Sequence, residues 1–160
     1  MLQRVLDNAR GGERIVILRS GAETRGELLV FDAFLEPGAH VPAAHVHPRQ
    51  EERFTVLAGT LQFRIGRETV LADRGMSLSV PGGTPHWFGN VGDGVAQVRV
   101  EVRPALRMQQ LFETAGWLDW LLIPLDFQME LAVPHLPVWA VKAALTPLAW
   151  LRTALQCAHP

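Results

Sequence analysis

The sequence predicts a mainly β fold, a sandwich or barrel of the jelly-roll type, followed by α-helices. Short runs of β-branched and aromatic residues are separated at close intervals by glycine and proline turns, which is typical of all-β domains. The hairpin spacing and the mixed burial pattern favour a jelly roll among these. At Pro104 the apolar spacing changes to that of a helix. We therefore expect a β-barrel over residues 1–103 and a helical extension over residues 104–160.

The first part of the chain predicts a lead-in and three strands. Residues 1–12 form the lead-in, and the run RIVIL over residues 14–18 predicts the first strand. The second strand, residues 27–35, is apolar enough to be buried on both faces. The third, residues 41–47, carries two histidines.

The next part predicts a series of hairpins. Leu61, Phe63 and Ile65 alternate with polar residues, as in a half-buried strand. Gly66 and the arginine after it then form a hairpin turn. The strands predicted here cover residues 52–57, 61–65, 70–71, 76–80, 86–88 and 95–103.

The last predicted strand has one apolar and one polar face. Val98, Val100 and Val102 make the apolar face. The other face holds Gln97, Arg99 and Glu101. These three polar residues either face solvent or form an inward set that contacts a substrate, and the sequence leaves both interpretations open.

Two helices are predicted beyond Pro104. The first covers residues 105–120, and the second covers residues 138–156 with a kink near Pro147. The second helix is apolar over more than one face, so we expect the extension to pack on the barrel or to form a homodimer interface. Contact with a membrane surface is the alternative. Charged residues and prolines make it a poor spanning helix.

Composition excludes several classes of protein. The chain has 160 residues, of which 48% are hydrophobic and 19% are charged, so disorder is not expected. A net charge of -1 gives no electrostatic case for binding nucleic acid. Cys157 is the single cysteine and the N-terminal segment lacks an apolar signal core, which together predict a cytoplasmic protein. The absence of tyrosine excludes a mechanism that needs a phenol.

Residues 37–59 carry the first candidate site. His45 and His47 stand two residues apart, so on a strand both rings point to the same side. Glu51 and Glu52 follow closely, and either carboxylate can approach the same point. Imidazole and carboxylate together suit Mn, Fe, Ni, Cu or Zn. The stretch therefore predicts a site for one divalent first-row transition-metal ion.

A second stretch, GMSLSVPGGTPHWFGN, completes a pair of motifs. The pair resembles the two conserved motifs of the cupin superfamily, G-x5-H-x-H-x3,4-E-x6-G and G-x5-P-x-G-x2-H-x3-N. The second motif matches at every defined position, whereas Gly38 lies one residue further from His45 than the first motif asks. The resemblance covers residues 32–103. The matching residues are Gly38, His45, His47, Glu52, Gly59, Gly75, Pro81, Gly83, His86 and Asn90.

The resemblance implies a fold and a metal site. The fold is the cupin double-stranded β-helix, an RmlC-like jelly-roll barrel, here small and single-domain, with C-terminal α-helices. In the family the ion is held by the residues at the positions of His45, His47, Glu52 and His86. The motif favours Glu52 over Glu51, because the spacing from Glu52 to Gly59 fits the pattern. Glu52 also serves as a catalytic proton carrier if it detaches from the ion.

The resemblance further implies a class of activity. The superfamily includes dioxygenases, isomerases and decarboxylases, so we expect a metal-dependent oxidoreductase or isomerase that acts on a small oxygenated organic molecule. A non-catalytic protein that binds or senses a small molecule through the ion is the alternative.

Other residues receive structural interpretations. His40 has the opposite strand parity from His45 and is expected at the surface or in a turn. Trp87 is expected to face away from His86, and Asn90 to cap a turn. His135 and His159 are interpreted as structural. The residues expected mainly in the core are Phe54, Val56, Phe63 and Phe88.

Overall fold

The computed structural model describes residues 4–8, 12–41 and 44–114. The described chain is mainly β, as predicted. Its strands are β1 (Arg4–Asn8), β2 (Glu13–Arg19), β3 (Leu29–Leu35), β4 (Glu51–Ala58), β5 (Thr60–Ile65), β6 (Glu68–Asp73), β7 (Ser77–Val80), β8 (His86–Asn90) and β9 (Ala96–Arg103), and its helix is α1 (Met108–Thr114).

The strands form two antiparallel sheets. The larger sheet has the order β1-β2-β3-β9-β4-β7 and the smaller one has the order β6-β5-β8. Neighbours such as β3 and β9 are far apart in sequence, which is the crossing connectivity of a jelly roll rather than of a simple meander. The predicted fold class is confirmed.

The core is arranged in layers along the barrel. In the larger sheet, Phe54 lies opposite Val100, and one pair further along Glu52 lies opposite Val102. In the smaller sheet the corresponding pairs put Phe63 opposite Phe88 and Ile65 opposite His86. The three phenyl rings pack with centroid separations of 5.1, 5.3 and 5.5 Å. The layer that holds Glu52 and His86 therefore lies directly against a dense aromatic layer.

The end of β9 lies beside Glu52, because Val102 pairs with Glu52. The helix α1 follows shortly after β9 and packs at this end of the barrel. Met108 and Leu111 are buried, and the ring of Phe112 meets Phe31 edge-on at 5.0 Å. The predicted helix over residues 105–120 is thus confirmed in part, with its start at Met108. The predicted helix over residues 138–156 lies outside the described residues. Within the part of the chain that the structure describes, no helix is long and apolar enough to span a bilayer.

Two of the predicted elements need correction. Residues 4–8 were expected in a lead-in, but they form β1, which pairs with β2 over its whole length. The short polar sequence RVLDN has no alternation that would predict this. The predicted strand over residues 41–47 is also wrong, since the described part of this stretch makes only an isolated bridge between His45 and His86. Prolines at positions 42 and 48 supply no backbone N–H for a ladder.

The polar face of β9 lies on the outside of the larger sheet. Its alternating pattern buries the valines, which share a face with Glu52, and turns Gln97, Arg99 and Glu101 to the opposite face. The interpretation of these three as an inward set that contacts a substrate is therefore wrong. Asp32 on β3 instead accepts hydrogen bonds from Gln97 at 3.0 Å and from Arg99 at 2.8 and 3.1 Å.

Candidate metal centre

Two antiparallel backbone contacts bring the histidine-bearing segments together. The His45 N–H donates to the His86 carbonyl at 3.0 Å, and the His86 N–H donates to the His45 carbonyl at 2.9 Å. The Gly83 N–H donates to the His47 carbonyl at 2.9 Å, so the turn before β8 is fixed against the turn before β4. Gly83 has a φ of +81°, which a glycine adopts without strain. These bonds place all three imidazoles at one end of the barrel.

The fourth group, Glu52, comes from the second position of β4. It is held within the larger sheet, next to the edge strand, between Val80 of β7 and Val102 of β9. Because side chains alternate along a strand, Glu52 points inward while Glu51 and Arg53 point outward and are exposed. The structure therefore brings Glu52, and not Glu51, to the histidines.

The four side chains form a compact cluster. One potential ligand atom from each of His45, His47, Glu52 and His86 lies within 4.8 Å of the others. Glu52 Oε2 lies 2.7 Å from His86 Nε2 and 3.4 Å from His47 Nε2. Glu52, His47 and His86 are buried, whereas His45 is half-buried. The cluster is therefore reached from the side of His45.

The tautomer of His86 follows from its backbone partner. Its Nδ1 lies 3.2 Å from the Thr84 carbonyl oxygen, which can only accept, so Nδ1 carries a proton. In the neutral ring Nε2 then presents a lone pair towards Glu52. This arrangement, in which one ring nitrogen is fixed by a carbonyl and the other is left to coordinate, is common among metal-binding histidines.

The charges in the cluster influence one another strongly. Burial alone raises the pKa of Glu52, but the charges of the surrounding imidazoles, His47 first, and the hydrogen bond from His86 lower it to about 2. Burial lowers the pKa of His86, and the hydrogen bond and charge of Glu52 outweigh this and raise it above its ordinary value. Both shifts have the same cause, the pairing of the Glu52 carboxylate with the imidazoles around it.

The donor set fits a cation. With Nδ1 of His86 protonated, Nε2 and Glu52 Oε2 are two acceptors only 2.7 Å apart unless a proton or a metal ion lies between the rings and the carboxylate. Apart from each other, neither atom has a hydrogen-bond partner among the residues that the structure describes. Three imidazoles and one carboxylate also match the ligand types of first-row transition metals. The cluster can therefore hold a metal ion.

The other candidates lie outside the cluster. His40 is exposed, and its ring stands 5.6 Å from the Trp87 ring, as expected for a surface residue. The Trp87 Nε1–H donates to the Val41 carbonyl at 3.0 Å, on the side away from the cluster. Asn90 caps a turn as predicted, since its Oδ1 accepts from the Gly92 N–H at 2.9 Å. His135 and His159 lie outside the described residues.

Asp32 and Gln50 are among the buried polar residues that the sequence alone did not reveal. Asp32 interrupts an apolar strand, and that interruption was a usable signal for a structural partner across the sheet. Gln50 received no role from the sequence, yet it is 1% exposed and lies between the ligand candidates His47 and Glu52. Nothing in the local sequence distinguishes it from an exposed turn residue.

Comparison with known proteins agrees with this architecture. Residues 31–102 match the sequence profile of the family described as Cupin domain. No curated protein matches the chain.

Several solved structures share the fold. A predicted oxalate decarboxylase from Thermotoga maritima has a TM-score of 0.57 and 21% identity, and the match covers 65% of this chain and 93% of that one. An RmlC-like cupin from Shewanella frigidimarina has a TM-score of 0.57 and 19% identity, with coverage of 67% and 88%. A sugar phosphate isomerase of the cupin superfamily from Silicibacter pomeroyi has a TM-score of 0.53 and 24% identity, with coverage of 64% and 71%. At these identities the likeness shows the fold alone.

Proposed function

The chain belongs to the cupin superfamily, and from this premise we propose that it is a metal-dependent enzyme acting on a small oxygenated organic molecule. In this proposal His45, His47, Glu52 and His86 hold one divalent first-row transition-metal ion. The observation that carries the proposal is the convergence of these four side chains within 4.8 Å at one end of the barrel. A bound divalent ion supplies Lewis acidity towards an oxygen ligand.

The shape of the interior supports a small substrate. The phenyl layer of Phe54, Phe63 and Phe88 closes the barrel on one side of the cluster, and the ring of Phe54 comes within 6.1 Å of His86. A ligand must therefore approach from the half-exposed side at His45. Two of the similar structures are named as a predicted oxalate decarboxylase and a sugar phosphate isomerase, and both names refer to oxygen-rich small molecules. These names support the substrate class proposed here.

Glu52 is proposed as the group that moves a proton. Its Oε2 is buried beside two imidazoles and is ionised at neutral pH, so it can accept a proton. The lowered pKa of Glu52 makes it a weaker base than an ordinary carboxylate while those imidazoles are charged. His45, His47 and His86 would hold the ion, and Glu52 would exchange the proton with the substrate. Such a role requires the carboxylate to leave the ion for part of the reaction.

Metal analysis tests the binding part of this proposal. Protein purified gently, without chelator, is expected to contain close to one equivalent of a first-row metal per chain, and His86→Ala is expected to lose it. Glu51→Gln, which changes an exposed neighbour, is the matched control and should keep the metal. A content below about a tenth of an equivalent in the wild type, even after incubation with each candidate metal, would contradict the proposal.

One observation favours a second function, metal-assisted binding without turnover. Among the described residues on the inner faces of the two sheets, Glu52 is the only buried carboxylate, so any acid–base chemistry depends on a single group. A screen of metal-loaded protein against small hydroxy acids, dicarboxylates and sugar phosphates separates the two. Turnover that disappears in Glu52→Gln supports the enzyme, whereas tight binding with no turnover supports the binding protein.

We also propose that residues 104–160 mediate a homodimer in a cytoplasmic protein. The support is the broad apolar face of the sequence over residues 138–156. Light scattering of the full chain is expected to give the mass of two chains. A mass of one chain, or flotation of the protein with liposomes, would favour packing on the barrel or membrane contact instead.

A further inference from the structure

The turn that carries the candidate ligands is tied to a distant part of the chain by one side chain. Gln50 lies between His47 and Glu52, and its Nε2 donates to the Pro104 carbonyl at 2.9 Å and to the Ala105 carbonyl at 3.1 Å. Both hydrogens of the amide are thus used on backbone acceptors more than fifty residues away. The side chain is 1% exposed, so neither bond competes with water.

The position of Gln50 explains why a side chain is used here. The ladder between β4 and β9 ends at the pair Glu51–Arg103, and the next pair would be Gln50 with Pro104. Proline has no N–H, so the backbone ladder cannot continue as before. The side-chain amide of Gln50 instead donates to the Pro104 carbonyl and extends the connection between the two segments by one position. The ligand-bearing turn is therefore joined to the end of β9 beyond the last backbone pair.

The receiving segment is itself well anchored. The Ala105 N–H donates to the Gly26 carbonyl at 2.9 Å, and Ala105 is 2% exposed. A Cβ added at Gly21 would lie 2.9 Å from the Ala105 Cβ, so the segments around Gly21 and Ala105 approach each other closely. The buried residue Met108 begins α1 three positions later. The Gln50 amide thus connects the turn to a fixed point.

The other side of the same turn rests on backbone. The Gly83 N–H donates to the His47 carbonyl, and a Cβ added at Gly82 would lie 3.3 Å from the Gln50 carbonyl oxygen. The turn is held between this glycine turn and the Pro104–Ala105 segment. Of these two contacts, only the one with Pro104 and Ala105 depends on a side chain, that of Gln50, which a substitution can remove.

From this geometry we infer that Gln50 is a positioning residue for the candidate metal centre. It fixes the turn that presents His47 and Glu52 by joining it to Pro104 and Ala105, where the C-terminal segment begins. The geometry of the centre therefore depends on the segment that leads into α1. The inference rests on the proposed metal site, but the tie itself is also measurable in metal-free protein.

Two variants and a control test the inference. Gln50→Met keeps the size of the side chain and removes the amide, and Gln50→Ala removes both. The control is Gln97→Met, because Gln97 also donates a side-chain hydrogen bond on the larger sheet, to Asp32 on its outer face. The first readout is the Kd for Co²⁺, with the visible absorption spectrum of the bound ion as a report on its coordination. The second is hydrogen–deuterium exchange of metal-free protein over residues 44–51 and 104–107.

Gln50→Met is expected to raise the Kd by about tenfold and to change the Co²⁺ spectrum, as is usual when a group that orients metal ligands is lost. It should also speed exchange over both segments, while Gln97→Met changes neither readout. An unchanged Kd, spectrum and exchange pattern in Gln50→Met and Gln50→Ala would overturn the inference. If the wild type binds no Co²⁺, but both Gln50 variants exchange faster than the wild type over the two segments, the metal site is refuted and the connection made by Gln50 is upheld.

Discussion

Replacing Glu52 by Gln is expected to have opposite effects on metal-free protein at acid and at alkaline pH. The substitution keeps the size of a buried side chain and removes its charge. In the wild type, burial raises the pKa of Glu52, but the imidazoles of His47, His86 and His45 lower it from its ordinary value of 4.5 to about 2. The carboxylate in turn raises the pKa of His86, against the effect of burial.

The signs of these shifts define a pH window. A lowered carboxyl pKa contributes stability above pH 4.5, which is lost as the pH falls towards 2. A raised histidine pKa contributes stability below pH 6.5, which is lost as the pH rises through the value in the folded protein. Both contributions are therefore complete only between pH 4.5 and 6.5. Lowering a pKa from 4.5 to about 2 corresponds to about 3 kcal/mol.

Near pH 5.5, the change to Gln is therefore expected to reduce the free energy of unfolding by about 2–3 kcal/mol. At alkaline pH, above the raised pKa of His86, that imidazole has lost its proton, so the wild type carries a buried carboxylate without the His86 cation beside it, which costs free energy. At that pH the variant should be equally stable or more stable than the wild type. A bound metal ion should make the wild type the more stable protein again. At a free metal concentration of about 100 times Kd, binding adds about 2.7 kcal/mol to the free energy of unfolding of the wild type.

Urea denaturation of chelator-treated protein at the two pH values measures this crossing. Glu51→Gln is the control, because Glu51 is exposed and lies one residue outside the cluster, and it should change stability by less than about 0.5 kcal/mol. An equal loss at both pH values would show that Glu52 acts through packing alone. The electrostatic account of the cluster would then be wrong.

Three further predictions concern other parts of the barrel. Asp32→Asn should cost about 1–2 kcal/mol, because it weakens the contact with a half-exposed Arg99, and it should leave metal affinity unchanged, as denaturation and metal titration would show. Burial raises the pKa of Glu13 from 4.5 to about 7, so wild-type stability should fall as the pH rises through this range. Glu13→Gln should remove that fall and raise the free energy of unfolding by about 1–2 kcal/mol above pH 7. The gain is smaller than the full pKa shift implies because Glu13 is half-buried, and a gain that does not depend on pH would contradict this prediction. Phe54→Ala should cost about 3–5 kcal/mol in urea denaturation, against less than about 0.5 for the exposed Leu71→Ala, and similar costs would refute the layered core.

The strands that the sequence predicted well are those with clear alternation. The run from Leu61 to Ile65 lies within β5, and the predicted strand 95–103 differs from β9 by one residue. In both, more and less buried side chains alternate along the strand, so the period of two is visible in the sequence. β1 could not be predicted, because its position depends on pairing with β2 and not on its own pattern.

His45 and His47 were predicted from their spacing, and Glu52 and His86 from the resemblance to the cupin motifs; the structure brings the four residues together. What spacing cannot give is the support behind them. Gln50 contacts residues at positions 104 and 105, and no local pattern announces a contact over that separation. The polar residues of β9 were ambiguous for the same reason, since only the pairing of Phe54 with Val100 and of Thr55 with Arg99 decides which face is inside.

The choice between the two adjacent carboxylates depends on register, because a shift of one residue would turn Glu51 inward and Glu52 outward. The register is fixed at the other end of the strand. Gly59 has a φ of +76°, and a Cβ there would lie 2.8 Å from the Ala96 Cα, so the chain closes on the start of β9 in a way that only glycine allows. The irregularity between Val56 and Ala58 lies next to this contact and fixes the pairing of β4 with β9 further. The glycine that ends the first motif is thus part of the reason that its glutamate reaches the histidines.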